Sequence, residues 1–184
     1  DGGTNGTLFT EGTGSNAFQI TSPKNRTPSA DTDYTFSIFA KTNGRDLAFR
    51  VWFGSGNGWL APVFDLSAGT VTEHYSGEYE GTFSTDMQDH GGGWYRCSLS
   101  FRSRFAPYSS VDPRIQISDG TTDPEQTYGN ITYTGDGSSG IYIWGAQFEE
   151  REFATQYTPA TSGREVVEYG FALREAARDE PRFD

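Results

Sequence analysis

Five stretches of this chain alternate apolar and polar residues at nearly every second position: YTFSIFAK (34–41), LAFRVWFG (47–54), WYRCSLSF (94–101), RIQIS (114–118) and GIYIWGAQF (140–148). A period of two is what an extended strand needs, because successive side chains leave it on opposite faces, whereas a helix repeats every 3.6 residues. Between these runs lie TNGRD, GSGNG, DHGGG, SDGTTD and TGDGSSG, whose Gly, Asn, Asp and Ser suit tight turns. Short alternating strands punctuated in this way predict an all-β fold, a two-sheet antiparallel β-sandwich of about residues 1–163. The end of the chain, REVVEYGFALREAARDEPRFD (164–184), abandons the alternation. It reads as a connector, with REAARDE able to form a short helix.

The 184 residues suffice for one domain with a real core. Lysine occurs only at positions 24 and 41 and the net charge is −11, so the cationic surface that tracks nucleic-acid phosphates is not expected. No apolar run approaches the roughly 20 residues of a membrane helix. The opening DGGTNGTLF lacks the basic start and apolar core of a signal peptide. The single cysteine, Cys97, has no partner for an internal disulfide, so packing or assembly must supply the stability. Its setting, WYRCSLSF, reads as a buried, inert thiol.

Alternation also sorts side chains by face. In 94–101 Tyr95, Cys97, Leu99 and Phe101 oppose Arg96, Ser98 and Ser100; in 114–118 Ile115 and Ile117 oppose Arg114, Gln116 and Ser118; in 47–54 Phe49, Val51 and Phe53 oppose Arg50 and Trp52. If these polar faces share one sheet, it presents Arg50, Trp52, Arg96, Arg114 and Gln116 together. Such a set matches sugars, whose hydroxyls pair with arginine and amide groups and whose C–H faces stack on a flat ring. The plainer alternative is a Trp52 packed against a neighbouring strand, loop or subunit, with the arginines simply solvated.

YTFSIFAK (34–41), VFDLSAGTV (63–71), GGWYRCSLSF (ending at Phe101) and YTGDGSSGIYIWGAQFEEREFATQYTPATSG (133–163) occur in this order. Together they resemble a carbohydrate-binding-type jelly-roll module repeated in bacteriophage tail-fibre and other virion proteins. The resemblance implies a jelly roll on the surface of a virion or phage-like particle, where it attaches the particle to bacterial surface polysaccharide beside other virion proteins. It also implies a homo-oligomer, a trimer being the expected state; the chain itself contains no heptad. Within this pattern Trp94 and Trp144 read as structural, packing between sheets or against the chain terminus. Trp59, in the glycine-flanked loop GSGNGWLAP (54–62), reads as an exposed ring and the leading ligand contact. Two further readings stand beside it: an architectural domain touching only other virion proteins, and an accessory module of a secreted polysaccharide-degrading enzyme.

No catalytic set emerges. Glu149 and Glu150 are adjacent on a strand and must point apart, and no GxSxG, HExxH or phosphate-cradling glycine loop occurs. His74 and His90 lie in separate turn-like segments and read as solvated loop residues. No cofactor is expected. SADTD (29–33) and SDGTTDPE (118–125) hold oxygen ligands of the kind calcium takes. Similar jelly rolls often place a calcium-binding carboxylate in the last strand, where this chain has Trp144 and Gly145.

Overall fold

The computed structural model describes residues 6–21, 29–54, 58–103 and 111–158. The connector 164–184 and the boundary at residue 163 lie outside the described residues. The chain is all-β, with strands β1 (Thr7–Thr10), β2 (Ser15–Asn16), β3 (Gln19–Thr21), β4 (Thr32–Asn43), β5 (Asp46–Trp52), β6 (Trp59–Leu60), β7 (Val63–Asp65), β8 (Thr70–Thr72), β9 (Phe83–Asp89), β10 (Trp94–Ser103), β11 (Asp112–Ser118), β12 (Tyr133–Thr134) and β13 (Gly140–Glu149). Among the described residues the helical element is a 3-10 turn, Pro124–Thr127.

Two open antiparallel sheets carry the fold. The first has the order β1-β13-β4-β10-β9; the second runs β3-β11-β5-β7-β8 with β6 also on β5, and β12 and β2 form a small separate ribbon. The five alternating runs became β4, β5, β10, β11 and β13, the central strands of both sheets. Apolar residues of the two inner faces meet in one core: Phe36 of β4 lies 4.6 Å from Phe49 of β5, and Phe101 of β10 lies 5.4 Å from Phe53. Each fully buried phenylalanine contributes on the order of 1.5–3 kcal/mol, so these cross-sheet contacts hold the sandwich-like arrangement together. Cys97 sits in this core and is fully buried, as its sequence setting predicts.

β9, FSTDMQD, lies at an edge of the first sheet, and its burial alternates only between exposed and half-buried. With one strand neighbour and no fully buried face it carries no strong apolar signal, which is why the sequence pattern does not reveal it. β13 is interrupted by a bulge between Trp144 and Gln147. Gly145 occupies that bulge at φ +63°, and a Cβ there would stand 3.1 Å from the Phe39 ring. Both the left-handed backbone and the close ring call for glycine.

Each sheet is covered outside by an irregular strap. Residues 150–158 fold back over the first sheet: Thr35 Oγ1 donates to the Arg151 carbonyl at 2.9 Å, Thr158 N donates to Gln147 Oε1 at 3.2 Å, and Tyr157 packs on Trp144 at 4.5 Å. Trp144 is thus held against this strap. Residues 119–131 cross the second sheet, and they decide what its outer face presents.

Candidate functional site

Alternation sets the outer face of the second sheet. β5 sends Phe49 and Val51 inward and Arg50 and Trp52 outward; β11 sends Ile115 and Ile117 inward and Arg114 and Gln116 outward. Arg114 stands directly opposite Arg50 in the ladder. Two guanidinium groups so placed repel, and each engages partners of its own. Arg50 lies 5.1 Å over the Trp52 ring and donates through Nε to the Tyr128 carbonyl at 3.0 Å, whereas Arg114 donates to Gln19 Oε1 at 3.2 Å.

Arg96 does not join this group. It lies on β10 in the first sheet, so the two polar faces look away from each other across the core. Its guanidinium stacks 5.5 Å from the Phe39 ring and donates to the Thr155 carbonyl at 2.5 Å and Ser37 Oγ at 3.2 Å, while its Nε is buried without a partner. Burial lowers the Arg96 pKa, with Glu149 opposing the shift. Arg96 fastens the 150–158 strap to its sheet and is not part of an open platform. Period-two patterning assigns a residue to a face of its own strand and is silent on which sheet the strand joins, so the grouping of five residues on one sheet is corrected to four.

Trp59 departs further from expectation. It pairs with Trp52 across β5 and β6, yet it is only 5% exposed. The strap covers it: a Cβ at Gly129 would sit 3.0 Å from the Trp59 ring and 3.3 Å from Ala61 Cβ, and the Gly129 φ is +80°. Gln116, fully buried, secures this contact by donating to the Gly129 carbonyl at 2.9 Å and accepting from Ile131 N at 3.1 Å. An expected exposed ring is therefore a packing residue under a glycine. Arg50 and Gln116 are likewise covered, and both spend hydrogen bonds on the strap.

The same strap supplies a ring that the sequence pattern did not reveal. Asp123 caps the 3-10 turn by accepting from Glu125 N at 2.9 Å, Pro124 opens it, and Tyr128 closes it in the left-handed region at φ 54°, ψ 42°. Tyr128 is 70% exposed, with its ring edge-on to Trp52 at a centroid distance of 6.3 Å. The outer face therefore offers Trp52, Tyr128 and Arg114 to solvent, on a base formed by Arg50, Gln116 and Trp59. The signal in the sequence was the succession Asp-Pro at 123–124 and Tyr-Gly at 128–129, a short capped turn that leaves one large ring at its end.

A second feature is an open groove of about 430 Å³ on the first sheet, lined among others by Asp33, Phe83, Ser84, Ser100, Arg102 and Glu152. Arg102 and Asp33 are paired at 2.8 Å, which commits the groove's cation to its own carboxylate. That pair also engages Asp33, one of the two carboxylates in the 29–33 segment considered for calcium. In the 118–125 segment Asp119 accepts from Thr121 and Thr122, through both backbone and hydroxyl donors, which together hold its carboxyl below the usual range against the opposing effect of burial. Both histidines lie in loops, as expected, and are half-buried there. His90 lies edge-on to Phe39 at 5.0 Å, and His74 turns its Nδ1 toward Asp123 and Glu125. Glu149 is buried and accepts from Thr155 N at 3.0 Å while Glu150 is exposed, so the adjacent acids point apart.

No protein-family model matches the chain, and no curated protein matches it. The arrangement of Trp52, Tyr128 and Arg114 is what bears on function.

Proposed function

We propose that this chain is a non-catalytic glycan-binding module of jelly-roll type, displayed by a bacteriophage or phage-like particle, that attaches the particle to bacterial surface polysaccharide. The observation that carries the reading is Tyr128. A non-glycine residue in the left-handed region costs about 1–2 kcal/mol, and here that conformation holds a large aromatic ring 70% exposed beside Trp52. Nothing in core packing rewards such a placement, whereas a sugar ring stacked on two adjacent aromatic surfaces does. Arg114, half-exposed on the neighbouring strand, supplies charge-assisted donors for sugar hydroxyls or an acidic sugar.

The virion setting follows from the order of the four resembling segments. Chain crossings between the sheets, from β3 to β4 to β5 and from β10 to β11 to β13, are compatible with a jelly roll. A platform of two rings binds a single sugar weakly, so useful attachment comes from several copies in one assembly, a homotrimer in this proposal.

The test is binding of the purified chain, displayed multivalently on beads, to a panel of bacterial capsular polysaccharides and lipopolysaccharides. Wild type is expected to bind at least one glycan saturably. Trp52→Ala and Tyr128→Gly should abolish that binding, and Phe153→Ala, on the strap over the other sheet, should leave it intact. A wild type that binds no glycan, or binding untouched by either substitution, overturns the proposal. The first outcome would favour the architectural role, with this patch as a contact to another virion protein.

A further inference from the structure

We propose that His74, Asp123 and Glu125 form a site for a divalent transition-metal ion of the zinc class, which fastens the 119–131 strap to the chain leaving β8. This inference stands independently of the glycan reading. His74 Nδ1 lies 3.3 Å from Glu125 Oε1 and 3.9 Å from Asp123 Oδ1, and one ligand atom of each residue falls within 4.8 Å of the others. Tetrahedral zinc with ligand bonds of about 2.0–2.2 Å holds its ligand atoms roughly 3.3–3.6 Å apart. The His74–Glu125 separation already matches, and closing the wider separations by up to about 1.5 Å lets the three groups coordinate one ion.

Acidic neighbours are commonplace on a chain of net charge −11; an imidazole nitrogen turned on both of them is not. Through one ring nitrogen the imidazole reaches both carboxylates, Glu125 at hydrogen-bond distance and Asp123 just beyond it, and a divalent ion would join all three groups. The two halves of the site are also positioned through their backbone. The His74 carbonyl accepts from Ala61 N at 2.8 Å and Tyr75 bridges to Leu60, while Asp123 caps the 3-10 turn and Pro124 is buried. The His74 side chain is 21% exposed and those of Asp123 and Glu125 are 45% and 59% exposed, so an ion reaches the ligands without opening the fold.

Ligand chemistry selects the metal class. Calcium takes about six to eight oxygen ligands and has little use for imidazole, whereas zinc and its first-row neighbours accept mixed imidazole and carboxylate sets. Three protein ligands leave a fourth position for water or a ligand oxygen.

Isothermal titration of the chelator-treated chain with zinc chloride, and separately with calcium chloride, tests the assignment alongside His74→Ala and Asp123→Asn. Asparagine still caps the turn but removes the charge, so the Asp123 variant separates metal binding from folding, which the thermal midpoint of each metal-free variant monitors. The expected result is saturable one-site zinc binding, weakened more than about tenfold in both variants, with a zinc-dependent rise in unfolding temperature in the wild type only. Absence of saturable zinc binding, equal zinc affinity in wild type and both variants, or binding of calcium in preference to zinc overturns the proposal.

Discussion

Arg45 grips Glu11 with two parallel hydrogen bonds, Nε to Oε2 and Nη2 to Oε1, each 2.7 Å long. The Glu11 side chain is fully buried, and it also accepts from Tyr133 Oη at 2.5 Å and Asp136 N at 2.6 Å. Three separated parts of the chain, the exit of β1, the crossing from β4 to β5 and the approach to β13, are tied at this one carboxylate. A buried carboxylate is costly unless its oxygens are occupied; here four donors occupy them.

Glu11→Gln keeps the shape and removes the charge, leaving Arg45 without its principal partner. Arg45 retains access to water and to Asp136 at 3.2 Å, so the expected loss is about 2–3 kcal/mol, below the full cost of stranding a buried charge. Urea denaturation of the variant against wild type measures it, and a loss below about 0.5 kcal/mol would show that the fork does not hold this corner.

Acid should destabilise the fold, and the sign follows from the same carboxylate. Burial raises the Glu11 pKa, but the hydrogen bonds from Arg45, Tyr133 and Asp136 outweigh it and the net shift is downward. A folded pKa below the unfolded one gives stability that is present above about pH 4.3 and lost as pH falls through the folded value. Asp65, Asp119 and Asp136 are shifted the same way by their turn hydrogen bonds, whereas burial raises Asp46 and opposes the trend. His90, lowered by burial and by Arg96, starts the loss earlier, below about pH 6.5. Urea midpoints should fall from about pH 7 to about pH 3, steeply at the acid end; a flat profile would contradict this account.

Tyr128→Gly is expected to leave stability unchanged or raise it by up to about 1–2 kcal/mol, because glycine adopts the left-handed cap without strain. Loss of glycan binding with no loss of stability would identify Tyr128 as a residue kept for contact. A marked fall in the thermal midpoint would mean that its ring supports the strap.

The Cys97 thiol is buried in the core and its pKa is pushed far up by that burial, with Asp86 adding to the effect. It should remain unmodified by a thiol-reactive disulfide reagent at about pH 8 in the native protein and react fully in denaturant. Rapid native labelling would show that β10 opens readily.

Much of the fold was legible in the residues themselves. Alternation placed β4, β5, β10, β11 and β13 and told inward from outward on each, because facing along a strand is a local property of the backbone. Edge strand β9 escaped, since with one strand neighbour and no fully buried face it has no reason to alternate strongly. Facing outward is different from being exposed. Arg50, Gln116 and Trp59 all point away from the core, yet the 119–131 strap covers them, and Arg96 points outward from the opposite sheet. Strand alternation decides direction, whereas sheet membership and coverage depend on segments distant in sequence, such as Tyr128 meeting Trp52 and Asp123 meeting His74. Those encounters exist only once the sheets have packed and the strap has found its seat at Gly129, so only the tertiary structure could decide which of the outward residues meet solvent.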